Sequence, residues 1–325
     1  MYITYIDYLI VFICAKIDDI CSLYRYNVNP MTDPPPKKLK YTEYRDGRYK
    51  KIELLGSGKY GVATKYFDLR NEKYVTIKEI NSKAGKYELE ILKLITDEMK
   101  KLPIPCKHIP LLCDSFVNFN GVAIIMEYSP GTTLGQYIRM LGGLEKTLSY
   151  DIFKCVGDAV SFIHNLNIIH RDIKPDNIVI RMKPLSVKLI DWGFSEKDPE
   201  LIPMKYRGSP LYIAPEAIVY QRFASRVSMK ICIANDIWSL GVSLYETITG
   251  NVPVDAKVLE NLLIKLVRYD VNYSHKLLSL NEIIFFKKIF VTMNSRLDID
   301  QFIIQLTELS DKLTPIRRNN LGSTI

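Results

Sequence analysis

This chain of 325 residues lacks an apolar run long enough to cross a bilayer. Its N-terminal apolar run spans residues 8–15, whereas a membrane-spanning helix needs about 20 apolar residues. The run also lacks the basic flank that precedes the apolar part of a secretory signal peptide. These absences argue against membrane contact, and the run is predicted to be a short packing helix or part of a disordered extension.

Cysteine pairs at metal-binding spacings are also missing. The six cysteines are scattered along the chain, at Cys14, Cys21, Cys106, Cys113, Cys155 and Cys232. In a chain of this length such a pattern indicates reduced thiols, and therefore a cytoplasmic or nuclear location.

Neither apolar nor charged residues are scarce, since they make up 47% and 25% of the chain. This balance excludes a wholly disordered protein. The formal charge of +8 favours an anionic partner such as a nucleotide, an acidic peptide or a nucleic acid. A basic solvated surface explains the charge equally well.

Composition and periodicity divide the chain into four parts. Residues 1–45 form an extension that ends in a linker rich in proline and lysine. Apolar and polar residues then alternate as in strands over about 46–128, and helical spacing follows over about 129–313. Strands first and helices later predict a two-lobed α+β fold with a cleft between the lobes. Residues 314–325 are predicted to be a tail.

One stretch of eight residues, His170–Asn177, combines a carboxylate, a lysine and an amide. Fourteen positions after it, Asp191 provides a second carboxylate, followed by Trp192 and Gly193. Carboxylate and amide oxygens suit a hard divalent cation, and a carboxylate can orient and deprotonate a hydroxyl. The pattern therefore predicts a centre that moves a phosphoryl group.

A glycine-rich segment joins the first two predicted strands. Glycine removes the side chain that would keep a phosphate chain away from backbone N–H groups. Because the segment lies between strands rather than before a helix, it favours a phosphate-covering lid over a Rossmann turn. The candidate nucleotide-binding residues of this segment are Gly56, Ser57, Gly58, Lys59, Gly61 and Val62.

The third predicted strand ends in Val75-Thr76-Ile77-Lys78. A lysine on the inner side of this strand can hold the α- and β-phosphates of a nucleotide as a point charge.

In this order, the motifs resemble the protein kinase family over roughly residues 49–313. The resemblance implies the two-lobed kinase fold, with ATP and Mg²⁺ as cofactors. It also implies transfer of the γ-phosphoryl group of ATP to serine or threonine hydroxyls of protein substrates, since Lys174 stands two residues after Asp172 as in serine/threonine kinases. No nucleic-acid partner is expected, and the oligomeric state stays open.

The resemblance also assigns roles to single residues. Asp172 would activate the attacking hydroxyl, and Lys174 would neutralise charge on the transferring phosphoryl group. Lys78 would hold the α- and β-phosphates, while Asn177 and Asp191 would bind Mg²⁺. We call residues 170–177 the catalytic loop.

Lys78 needs a carboxylate partner from the next helix. Glu88 is predicted, because apolar residues follow it at the spacing of that helix, although only ten positions separate it from Lys78. Glu98 gives a separation more usual for the family, but Pro103 would end the helix soon after it. Glu88 is the preferred partner and Glu98 the alternative.

The segment that links the two lobes runs from residue 123 to 131. By resemblance, the carbonyl of Glu127 and the N–H of Ser129 would bind the edge of adenine. Met126 would control access to the pocket behind adenine, and Val62 would cover the adenine face.

Two other classes of function compete with a protein kinase. A pseudokinase acting as a scaffold would be favoured by loss of Lys78, Asp172 or Asp191, and all three are present. A small-molecule kinase is disfavoured by residues 214–216, which resemble the peptide-docking part of the family. In that part, Glu216 is expected to pair with Arg296, since a buried carboxylate needs a cation.

Arg171 is, by resemblance, the usual receptor for a phosphate on the activation segment between Asp191 and Glu216. That segment contains no threonine, and its hydroxyls are Ser195, Tyr206, Ser209 and Tyr212. The Ser209 hydroxyl is expected to contact Asp172 or Lys174 instead. Negative charge is already supplied by Glu196, Asp198 and Glu200. We therefore predict activity without phosphorylation of the segment.

The cluster Lys37-Lys38-Leu39-Lys40 follows three prolines, which keep its basic side chains accessible. As a nuclear import signal, it would hold a tagged protein in the nucleus, and replacing the three lysines by alanine would move the protein to the cytoplasm. Fluorescence imaging of both forms checks this. An unchanged distribution would mean that the cluster is only a solvated linker.

Overall fold

The computed structural model describes residues 47–58, 61–80, 84–117, 121–198, 209–218 and 228–313. Its N-terminal lobe contains a five-stranded antiparallel sheet with the strand order β1-β2-β3-β5-β4. The strands are β1 (Tyr49–Gly58), β2 (Gly61–Asp68), β3 (Lys73–Ile80), β4 (Leu112–Val117) and β5 (Val122–Glu127). The long helix α1 (Ala84–Lys101) connects β3 to β4.

Strand β3 shows how alternation divides this sheet. Val75 and Ile77 are fully buried in a small core on one face. Thr76 and Lys78 point to the other face and line the cleft between the lobes, because successive side chains of a strand lie on opposite faces. The same strand therefore stabilises the lobe and supplies the site.

Helix α1 packs an apolar stripe against the sheet. Leu89, Leu92 and Ile95 are buried at helical spacing and belong to the same core as Ile80 of β3. This spacing places one helix face inward, and it brings the neighbouring Glu88 to the cleft as well.

The C-terminal lobe is mainly helical. Its elements are β6 (Thr132–Thr133), α2 (Leu134–Leu141), α3 (Lys146–Asn165), β7 (Ile168–Ile169), β8 (Ile178–Met182), β9 (Leu185–Leu189), β10 (Glu196–Lys197), α4 (Met229–Thr249), α5 (Leu259–Val267), α6 (Leu280–Ile289) and α7 (Ile299–Leu313). The prediction of a two-lobed α+β fold is thus confirmed.

Helix α4 forms the centre of this lobe. It is buried on nearly all sides, and Trp238 and Tyr245 are among its fully buried side chains. Helix α3 packs against both α4 and α7. A helix that is apolar around its circumference belongs in a core, so α4 is a fixed support for the segments that surround it.

Two small sheets carry the loops of the site. Strands β6, β8 and β9 form one, and β7 pairs with β10 in the other. The catalytic loop runs from β7 to β8, while Asp191 comes two residues after the end of β9. Their strand pairing therefore brings the two carboxylate-bearing loops together. Within the ranges described above, no helix is both long and apolar enough to cross a membrane.

A buried ion pair between Arg296 and Glu216 lies within the C-terminal lobe. Arg296 donates to the carboxylate of Glu216, with 3.2 Å between Nη2 and Oε2. It also donates to the carbonyls of Ala234, Ile289 and Val291 at 2.8, 2.9 and 2.7 Å. Its side chain is only 1% exposed. The expected pairing of Glu216 with Arg296 is present, and it joins three separate segments.

Replacing Arg296 by methionine would leave the carboxylate of Glu216 and three carbonyls without their donor. We expect Arg296→Met to lower the free energy of unfolding by about 3–5 kcal/mol, as for other broken buried pairs. The control is Arg139→Met, which removes the exposed pair with Asp176 and should change stability by less than about 1 kcal/mol. Urea unfolding measures both, and equal losses would contradict the role given to the buried pair.

Candidate active site

A cleft of about 700 Å³ lies between the two lobes, and both lobes line it. Of the residues predicted to bind a nucleotide, Gly56, Ser57 and Lys78 line it from the sheet and Glu88 from α1. Glu127 and Ser129 line it from the segment between the lobes, and Asn177 and Asp191 from the C-terminal lobe. Residues separated by up to 135 positions in the sequence, from Gly56 to Asp191, thus meet at one cavity.

The glycines between β1 and β2 are needed for different reasons. Gly61 has φ +129°, and a Cβ there would lie 2.3 Å from the carbonyl oxygen of Glu79. The fold therefore requires a glycine at position 61. A Cβ on Gly56 or Gly58 would meet no atom within 4 Å, so these two are free to serve close approach of a ligand to the backbone. Lys59 lies outside the described residues.

The prediction that Val62 covers the adenine face is corrected. Val62 pairs with Glu79 on β3, whereas Ala63 pairs with Lys78. Directly opposed residues of paired strands share a face of the sheet, so Ala63 lines the cleft beside Lys78. Ala63 is identified by its register opposite Lys78, which the glycine motif alone does not reveal.

Lys78 lies between two carboxylates at the back of the cleft. Its Nζ donates to both oxygens of Glu88, at 2.7 and 2.9 Å, and to Oδ1 of Asp191 at 2.8 Å. Of the two candidates, Glu88 is thus the partner in the structure, while Glu98 pairs with Lys101 on the surface at 2.7 Å. Through these hydrogen bonds, Lys78 connects β3 and α1 of the N-terminal lobe to Asp191 of the C-terminal lobe.

Burial and charge compete in this cluster. Burial alone would lower the pKa of Lys78, but the charges of Glu88 and Asp191 outweigh it and raise the pKa above its ordinary value. For Asp191, burial favours a higher pKa, yet the charge of Lys78 brings the pKa below its ordinary value. The cation and the Asp191 carboxylate are therefore both ionised at neutral pH.

Gly193 makes room for this cluster, a role that sequence reasoning did not assign. A Cβ at this position would lie 3.3 Å from Oε2 of Glu88 and 3.4 Å from Oδ1 of Asp191. The Gly193 N–H also faces Asp191 Oδ1 at 3.4 Å. Its place two residues after Asp191 does not reveal this role, because the neighbouring Glu88 comes from α1.

The carboxylate of Asp172 is the centre of a second cluster. Its Oδ2 accepts from Lys174 Nζ at 2.6 Å and from Asn177 Nδ2 at 2.9 Å. Its Oδ1 accepts from the hydroxyl of Ser209 at 3.0 Å, and Lys174 also donates to that hydroxyl at 2.9 Å. The expected contact of Ser209 with this loop is present. The network fixes one carboxylate orientation by three donors.

Asp236 of α4 holds the backbone of the catalytic loop in place. This fully buried carboxylate accepts from the N–H groups of His170 and Arg171 at 2.9 and 2.8 Å, and from Nε2 of His164 at 3.0 Å. Arg171 and Asp191 both adopt left-handed backbone, with φ +68° and +66°. Such conformations persist where surrounding contacts fix them.

Trp192 packs its indole edge-on against the imidazole of His170, with ring centroids 4.9 Å apart. Both side chains are buried, and burial lowers the pKa of His170, which therefore stays neutral at pH 7. His170 Nε2 also lies 3.2 Å from the carbonyl oxygen of Ile190. These contacts join the catalytic loop to the segment that carries Asp191.

Comparison with known proteins agrees with this arrangement. The family model of the protein kinase domain matches residues 49–306. Serine/threonine-protein kinase ULK3 of Xenopus laevis is 32% identical over 230 residues, which cover 70% of this chain and 46% of that protein. Serine/threonine-protein kinase atg1 of Penicillium rubens is 27% identical over 272 residues, covering 68% of this chain and 27% of that protein.

The chain spans less than half the length of the curated relatives named above. The family model nevertheless matches more than half of the chain, and the residues of its motifs meet in one cleft. The chain belongs to the protein kinase family and is similar to serine/threonine kinases within it.

Proposed function

We propose that this protein transfers the γ-phosphoryl group of ATP to serine or threonine hydroxyls of protein substrates. The observation that carries the proposal is the Asp172 carboxylate, oriented by Lys174, Asn177 and Ser209 beside a nucleotide-sized cleft. We propose residues 46–313 as the catalytic domain, divided into lobes near residue 128, and a cytoplasmic or nuclear location.

In the proposed reaction, Asp172 is the acceptor for the proton of the attacking hydroxyl. Only its Oδ1 faces the hydroxyl of Ser209, while its Oδ2 is engaged by two donors. A substrate hydroxyl would bond to this same carboxylate. Lys174 lies next to it and would neutralise charge that develops on the transferring phosphoryl group. Catalysis of this kind rests on positioning and charge, without a covalent enzyme intermediate.

Lys78 is proposed to hold the α- and β-phosphates of ATP. Its ammonium is fixed by Glu88 and Asp191, and the open space over Gly56 and Gly58 permits backbone contact with phosphate oxygens. The backbone of Glu127 and Ser129, at the lobe junction, is proposed to bind adenine. Thr76 lines the cleft where the family usually has alanine, which makes the pocket narrower and more polar.

Asn177 and Asp191 fit the requirements of Mg²⁺. Both line the cleft, and both provide the oxygen donors that this hard cation prefers. The amide nitrogen of Asn177 donates to the carbonyl and carboxylate of Asp172, at 2.8 and 2.9 Å, which fixes its amide oxygen as an acceptor. Among the described residues, no cluster of three or more histidine, cysteine or acidic side chains could bind a metal alone. Bound Mg²⁺ would neutralise charge on the nucleotide phosphates, which complete its ligand set.

The substrate side of the site supports the serine/threonine class. Ser209 bridges Asp172 and Lys174 by side-chain hydrogen bonds. This bridge holds the part of the activation segment around Ser209 close to the carboxylate of Asp172. With this segment so near Asp172, the space beside the carboxylate suits a short serine or threonine side chain better than a bulky phenol ring.

The substrate class can be tested with an arrayed peptide library, Mg²⁺ and labelled ATP. We expect incorporation into peptides with serine or threonine as the acceptor, and little into peptides with tyrosine. Each peptide has a matched control in which alanine replaces the acceptor. Incorporation mainly into tyrosine peptides would overturn the class, and ATP binding without transfer would favour the pseudokinase scaffold. Transfer only to the hydroxyl of a small molecule would favour a small-molecule kinase.

Two variants separate hydroxyl activation from metal binding. We expect Asp172→Asn to lower kcat on the order of 10²- to 10⁴-fold, because it loses the proton acceptor, while ATP binding stays near normal. Asp191→Asn should instead weaken nucleotide binding that depends on Mg²⁺. Asp97→Asn, at an exposed position on α1, makes the same chemical change and should leave both properties unaltered.

Peptide turnover and nucleotide titration with and without Mg²⁺ measure these effects. If Asp172→Asn and Asp191→Asn both kept wild-type turnover, the assignment of the site would be wrong.

A further inference from the structure

The catalytic loop contains a buried cation that the proposed chemistry does not use. Arg171 precedes Asp172, and its Nη1 lies 2.6 Å from Oε2 of Glu196. The two side chains are only 2% and 3% exposed. A guanidinium this deeply buried is costly unless a carboxylate neutralises it, so Glu196 makes the buried position of Arg171 possible.

Glu196 lies at the start of the activation segment, five residues after Asp191. It sits in β10, where it pairs with Ile169 of β7, the strand that leads into the catalytic loop. Nearby backbone contacts extend this pairing, since the N–H of Asp198 donates to the carbonyl of Asn167 at 3.0 Å. The ion pair thus joins the segment after Asp191 to the residue beside Asp172.

Among the acidic residues expected to supply charge to the segment, Glu196 and Asp198 have different surroundings. Glu196 forms the buried pair with Arg171. Asp198 is only half-buried, and Glu200 lies outside the described residues. A phosphate would offer Arg171 a charge-assisted contact, but here a carboxylate of the chain already makes that contact.

We infer that Glu196 is a built-in counter-ion of Arg171, which takes the place of an activation-segment phosphate. It is a positioning residue: it acts on Asp172 through Arg171 and the β7–β10 pairing. The inference rests on the proposed kinase function for its activity readout. Accordingly, the full chain is active without phosphate on residues 195–212.

The test uses the full chain produced together with a phosphatase, with mass spectrometry to verify that residues 195–212 carry no phosphate. We expect this form to be as active as untreated protein. Glu196→Gln should lower kcat on the order of 10- to 100-fold through misplacement of the catalytic loop, with the KM for MgATP changed by less than about twofold. The matched control Asp198→Asn removes a neighbouring charge and should keep wild-type kcat.

A double-mutant cycle covers the case in which a single variant folds poorly. Arg171→Gln and Glu196→Gln each leave a buried charge without its partner, whereas the double variant leaves a neutral amide pair. The double variant should therefore lose less activity and less thermal stability than the two single losses combined. Strict additivity would overturn the inference.

Two activity results would also overturn it. One is wild-type kcat in Glu196→Gln, and the other is a large loss of wild-type activity that follows removal of phosphate from residues 195–212. If the wild-type chain transferred no phosphoryl group to any peptide, the proposed function would fail instead. The melting temperatures of the same four proteins would then still decide whether Glu196 and Arg171 are coupled.

Discussion

The site depends on the hydrogen bonds that the Asp236 carboxylate accepts from the backbone of the catalytic loop. A carboxylate with no exposure to solvent would be unstable in the core of α4 without donors, and it receives them from the backbone of His170 and Arg171 and from His164. The loop in turn is attached to α4, a helix that is buried along most of its length. Because Arg171 has a left-handed backbone there, this attachment also determines where the next residue, Asp172, points.

Beyond the Asp236 contacts, buried ion pairs connect separate segments of the chain. In each pair, a buried cation has a carboxylate as its partner. Arg171 reaches Glu196 in the activation segment, Lys78 joins α1 to Asp191, and Arg296 holds Glu216 near the docking end. Removing one member of such a pair leaves an uncompensated buried charge, which costs more than the pair contributes. The assembled site is therefore sensitive to single substitutions, and its geometry is specified by pairing rather than by loop length.

Local patterns were sufficient for much of this arrangement. The change from strand to helical periodicity predicted the two lobes, and the motifs contain Lys78, Asn177 and Asp191, which line the cleft. Glu88 was chosen over Glu98 because its apolar neighbours fitted one face of a helix and a proline followed Glu98 too closely, and the structure has that pair. Val62 was misjudged because a glycine motif does not fix which face of the next strand points inward. Its register against β3 decides that, and it places Ala63 in the cleft.

What the sequence alone determined was chemistry: which carboxylates, amides and cations exist, and their spacing along the chain. Contacts between distant segments were decided only by the tertiary structure, because burial and pairing depend on neighbours that spacing does not reveal. Gly193 leaves space beside the carboxylate of Glu88, which comes from another element. Of the two described acidic residues of this stretch, Glu196 and Asp198, Glu196 contacts Arg171 because β10 pairs with β7 and turns that side chain into the core. The sequence supplied the negative charge, and strand pairing selected the residue that delivers it.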